Sequence, residues 1–207
     1  MRTAILRSWA PFCLLALACF GMNKAAAQST VEFSELVKSL MIPAGPTHQL
    51  PGWDLPMHPA IRWKDASPRP AGKSSDRDAL PMVREGTVFV TVNGQPSYVP
   101  IKPGTPASLW HVTLRGSRQG RLEAELAQGE YGEGTSLPIA LLKPAKFQVR
   151  SLCKPQGISS GMEVFAVATQ GVHPVVLGHE WSSGSAGTMA WLRFAFTTQR
   201  AAKLKCE

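Results

Sequence analysis

Cysteine is scarce in this chain, with four in 207 residues, and Cys13 and Cys19 lie close to its N-terminus. Little is left for a thiol nucleophile, and no C-x-x-C redox or zinc pattern occurs. Long apolar runs are missing too. Pro11 to Met22 falls short of the roughly 20 residues that a membrane-spanning helix needs, and no later stretch is longer and as apolar. Neither G-x-G-x-x-G, a Walker loop, H-E-x-x-H nor an EF-hand spacing is present. No catalytic set, metal or cofactor is therefore expected.

Acid is the third shortage. Fourteen Asp and Glu stand against 22 Lys and Arg, for a formal net charge of +8. The N-terminal 27 residues hold Arg2, Arg7 and Lys24 and no acid, so the rest keeps 19 basic against 14 acidic residues, about +5. These charges are scattered rather than run together. They suit solubility and weak attraction to an acidic protein or an anionic envelope polymer.

What is present begins with a secretory signal over residues 1–27. Arg2 and Arg7 form a basic start, and Pro11 to Met22 has about the 7–15 apolar residues of a signal core. Ala25, Ala26 and Ala27 offer a small-residue cleavage site near Ala27. The protein is expected to be periplasmic or secreted, with no integral membrane span and no nucleic acid as its partner. Losing the leader removes Cys13 and Cys19. Cys153 and Cys206 remain as an even pair in an oxidising compartment, where disulfides persist, and a bridge between them is expected.

The fold class predicted is mainly β: a single antiparallel β-sandwich or barrel-like domain with one N-terminal helix and a Pro-rich wrap. Residues 28–83 should supply the helix and an extended segment, packed as one unit with a β-rich domain over 84–207. The helix is placed at Ser29 to Met41, with Ser29 and Glu32 at capping-box spacing. Phe33, Leu36, Val37, Leu40 and Met41 form a stripe at about 3.6-residue period. Eight prolines follow between Pro43 and Met82, which rules out regular structure throughout. Gln49 to Trp63 carries enough apolar side chains to lie on the core, whereas Lys64 to Arg77 is polar and reads as mobile.

Alternation then takes over. Val88, Val90 and Val92 lead into Asn93-Gly94, the strongest short hairpin signal, and the return limb, with Pro96 and Pro100, should be an edge strand. Trp110, Val112 and Leu114 alternate with His111, Thr113 and Arg115. After a turn at Gly116 to Gly120, Leu122, Ala124 and Leu126 alternate with Arg121, Glu123 and Glu125. Ser136 to Leu142 is a further short buried run. In the last third, Ala145–Cys153, Gly161–Thr169 and Thr188–Thr198 read as strands. Parity puts Cys153 on the side of Phe147 and Val149.

Candidate site residues are few. Ser185, in Ser183-Gly184-Ser185-Ala186-Gly187, resembles a nucleophile elbow but lacks its first glycine and reads as a hairpin loop. His173 and His179, if joined by a strand, would stand about 20 Å apart, too far to share a zinc ion that needs both nitrogens at about 2 Å. His179, Glu180 and Trp181 lie in a segment too polar and glycine-rich for a core strand, which reads as a loop bearing an aromatic anchor. Tryptophan is enriched among residues that dominate binding. The expected function is a protein-binding module, an inhibitor or immunity protein neutralising a toxin or hydrolase. The alternatives are a structural or accessory subunit of an envelope or secretion assembly and, third, an enzyme with an unrecognised site.

Overall fold

The structure, a computed structural model, describes residues 29–41, 52–72, 80–133, 142, 145–154, 157 and 159–206. Its elements run β1 (Thr30–Glu32), α1 (Phe33–Leu40), β2 (Arg62–Trp63), β3 (Arg69–Pro70), β4 (Met82–Val92), β5 (Gln95–Pro96), β6 (Val99–Pro100) and β7 (Leu109–Ser117). They continue as β8 (Gly120–Gln128), β9 (Gly132–Glu133), β10 (Gln148–Cys153), β11 (Ser160–Ala168), β12 (Val175–Gly184), β13 (Gly187–Ala195) and α2 (Thr198–Ala201). All the strands belong to one sheet of order β1-β4-β7-β8-β13-β12-β11-β10, with the short strands attached at its margins. The mainly β reading holds. Among the described residues every pairing is antiparallel except that of β1 with β4, which is parallel.

One face of this sheet is the core face. Val112 stands opposite Leu126 and Leu126 opposite Leu192; Leu114, Ala124, Phe194 and Leu177 make the next row. All of these are at most 1 % exposed. Their burial at roughly 25 cal/mol per Å² of apolar surface is the main source of stability. Phe33, Leu36, Val37 and Leu40 of α1 join the same cluster, as do Ala60 and Ile61 of the wrap, with Trp53, Met57 and Trp63 packed against it.

Several expectations need correction. The chain from Thr30 to Glu32 is a strand, not the first turn of a helix, and Glu32 caps α1 with no side-chain hydrogen bond. Its carboxylate is engaged elsewhere: it accepts from Thr91 Oγ1 at 2.7 Å, from the Asn93 N–H and from the Gly94 N–H. Asn93 and Gly94 both have positive φ, as the tight hairpin demands, and Glu32 supplies the acceptor for the turn's outward N–H groups. Lys64 to Gly72 is tied to β4 rather than free. Arg69 pairs with Val83, the Ala71 N–H donates to the Pro81 carbonyl, and Lys64 and Arg69 both reach Glu85. Residues 73–77 lie outside the described residues, as does Ser136 to Leu141. The proline-bearing limb after Gly94 splits in two, β5 pairing with β4 and β6 with β9, because each proline removes a ladder donor.

Two irregularities move side chains across the sheet. Between Ser151 and Cys153 the register slips, so Ser151 faces Phe165 while Cys153 faces Val164. An extra residue in one strand inverts the alternation beyond it. Cys153 is thereby carried away from the face of Val149 to the opposite, outer face, where the C-terminal segment runs. There it is bonded to Cys206, as expected from the cysteine count, with 6.0 Å between α-carbons. The second slip, between Arg115 and Gly116, sets Arg121 opposite Gly116. Arg121 is fully buried while Leu122 is only half-buried, the reverse of the alternation read from the sequence.

Candidate functional site

The segment around His179 is not a loop. Val175–Gly184 is strand β12, and the turn lies beyond it at Ser185-Ala186, where the hairpin-loop reading of Ser185 holds. A strand puts neighbours on opposite faces, so the three expected site residues separate. His179 faces Leu192 and Glu163 on the core side of the sheet, and Trp181 follows it on that side. Glu180 faces outward. The polar run is tolerated in a strand because only alternate residues meet the core.

His179 is buried, with Nδ1 3.7 Å from a Glu163 oxygen and its ring 5.4 Å from that of Trp181. Burial pushes the imidazole below its ordinary 6.5, and the Glu163 carboxylate opposes that push without overcoming it. Trp181 is half-buried and lies outside the core cluster. Beyond it Ser182, Ser183 and Gly184 are exposed.

The outer face carries more. A groove of about 660 Å³ runs over β4, β7, β8 and β13. One wall is Arg69, Ala71 and Gly72 from the wrap together with Leu80; the other is Arg200, Lys203 and Leu204 from the C-terminal segment. Both walls are anchored. Arg69 Nη2 donates to Glu85 at 2.9 Å, and Arg200 donates to Glu123 through Nε at 2.8 Å and Nη2 at 2.6 Å. Burial raises the Glu85 carboxyl, but Lys64 and then Arg69 outweigh it and leave the group below its ordinary 4.5. Adjoining the first groove is a second hollow of about 510 Å³, which shares Arg193 and Lys203 and adds Glu180, Met162 and Lys205.

Across the floor the charges alternate from strand to strand. Arg115 on β7 lies 3.8 Å from Glu123 and from Glu125 on β8; Glu125 accepts from Arg193 Nε on β13 at 3.1 Å; Arg193 Nη2 lies 3.1 Å from Glu180 on β12. Arg115 is only loosely held, with no hydrogen bond to either carboxylate at that distance. The main groove is lined by five basic side chains against three carboxylates, an excess of positive charge that retains acceptors. Such a floor matches a segment bearing both signs of charge. Alternation alone places Arg115, Glu123, Glu125 and Arg193 on the faces opposite the apolar rows of their strands. The signal available was that these charges share a parity, but which of them meet depends on strand order.

Among the described residues no three His, Cys, Asp or Glu side chains come together as a metal site would need, and no helix is long and apolar enough to cross a membrane. No family model, curated protein or solved structure matches this chain.

Proposed function

We propose that this chain is an exported protein-binding module that takes a charged polypeptide segment into the outer-face groove. The observation that carries this reading is the row Arg115, Glu125, Arg193 on the floor between two anchored walls, continued by Glu180 in the adjoining hollow. Exposed ion pairs each contribute only about 0–1 kcal/mol to stability, so such a row does little for the fold. Complementary charge arrays do much more for partner choice and encounter rate. The Cys153–Cys206 bond supports an oxidising compartment, in line with the signal read over residues 1–27, and hence a periplasmic or secreted protein. Within that setting the job we favour is an inhibitor or immunity protein that neutralises a toxin or hydrolase. A structural or accessory subunit of an envelope or secretion assembly is the alternative.

A second reading uses the opposite face, at Trp181. It is favoured by one observation: this tryptophan is left outside the core, where a large aromatic is available as an anchor.

Affinity capture by the tagged protein from its own envelope fraction tests both. With the partner identified, the Arg115→Gln, Arg193→Gln double variant should bind it more weakly by about 2 kcal/mol, and wild-type binding should weaken with salt. A partner whose hydrolytic or toxic activity falls on binding makes the protein an inhibitor; an assembly component makes it a subunit. Undiminished capture by the double variant would reject the groove.

A further inference from the structure

Arg121 is 0 % exposed, and Nε, Nη1 and Nη2 are all buried without a hydrogen-bond partner. Among the described residues no carboxylate reaches it. The charge that acts on it is that of Arg84, which has the same sign. Arg84 is itself only partly satisfied: Nη2 donates to the Ala66 carbonyl at 2.9 Å and the guanidinium lies 4.4 Å from the centre of the Trp63 ring, but Nε is buried and unpartnered. Burial lowers the Arg121 guanidinium to about 10, which leaves it a cation at neutral pH.

The local backbone holds this cation in place. The slip between Arg115 and Gly116 turns Arg121 inward. The Trp53 ring closes over the same spot, with Cζ2 2.8 Å and the Arg121 α-carbon 2.9 Å from where a Gly116 β-carbon would stand, and Nε1 donating to the Ser117 carbonyl at 2.8 Å. A buried charge is retained when it is paired, and a guanidinium fork is shaped for two oxygens of one planar or tetrahedral anion. Water could fill the donors but would leave the charge uncompensated.

We propose that Arg121, with Arg84 as a second donor, forms a buried oxyanion site under Trp53 that binds the phosphoryl or carboxylate group of a small ligand. The site is independent of the outer-face groove. It lies on the core side of the sheet, and its occupant is taken up when the Trp53 wrap opens or as the chain folds.

Equilibrium unfolding gives the test, because it samples the open chain and needs no entrance. Purified protein is melted in anion-poor buffer with increasing inorganic phosphate or acetate, against sodium chloride at matched ionic strength. A ligand that binds only the native state raises Tm along a saturating curve, and the expected result is a rise of several degrees with one of the two anions. Phosphate as the active anion assigns a phosphoryl ligand, acetate a carboxylate. Arg121→Met should lose the response and, without anion, melt no lower than the wild type. Arg121→Lys, which keeps the charge but not the fork, should respond more weakly than the wild type. General salting effects raise stability without saturation. A parallel, unsaturated rise in wild type and Arg121→Met, or no rise at all in the wild type, would overturn the site. Should Arg121→Met fail to fold, an Arg121→Lys response equal to that of the wild type would overturn it as well.

Discussion

Leu204 lies over Gly178: a β-carbon added at position 178 would stand 3.2 Å from Leu204 Cδ2. The bare patch that glycine leaves on the outer face of β12 is the seat of the C-terminal segment, and so of one groove wall. Gly178→Val should displace Leu204 and destabilise by about 1–3 kcal/mol, as overpacking does. Denaturant melts would show it, and proteolysis between Arg200 and Lys205 should quicken. Unchanged stability together with unchanged proteolysis would mean the segment is seated by other contacts.

The Cys153–Cys206 bond ties residues 53 apart in sequence. Chain entropy for a ring of that size corresponds to about 4 kcal/mol. Cys153→Ser should therefore lower stability by about 2–5 kcal/mol and loosen the Arg200–Leu204 wall. The oxidised mature protein, without residues 1–27 and so without Cys13 and Cys19, should titrate no thiol when denatured without reductant. Free thiols at that step would be evidence against the bridge.

His179 makes stability depend on pH, and the sign follows from its depressed proton affinity. Unfolded, the imidazole takes up a proton near its ordinary value of 6.5; folded, burial resists protonation despite Glu163. The unfolded state thus binds more protons in this window. The contribution is fully present above about pH 6.5 and is lost as pH falls through it towards the folded value. Glu163 is the charged group facing it across the pairing with β11. Stability of His179→Leu should fall less steeply than that of the wild type between neutral and mildly acidic pH. Equal slopes would refute the assignment.

Trp181→Ala separates a surface anchor from a lid on the core. Fully buried Trp truncations cost about 3–5 kcal/mol. Because Trp181 is half-buried and outside the core cluster, its loss should cost less than about 2 kcal/mol. A larger loss, with partner capture unaltered, would return the residue to a purely structural role and leave binding to the groove.

The apolar alternation along Val112 and Leu114, along Ala124 and Leu126, and along Ala190, Leu192 and Phe194 was legible without coordinates. Period-2 patterning is a local property, and a strand half-buried against a core must display it. Cysteine bookkeeping was enough to pair Cys153 with Cys206, given the expectation that Cys13 and Cys19 leave with a signal over residues 1–27. Tertiary structure alone decided which charges meet and where the alternation breaks. The slips beside Ser151 and Gly116 invert parity, so Cys153 turns outward and Arg121 inward, and neither slip has a local composition that announces it. His179 meets Glu163, and Arg193 meets Glu125 and Glu180, only because β11, β12, β13 and β8 lie side by side in that order. Strand order is a non-local choice among pairings that the same alternating pattern would satisfy equally well.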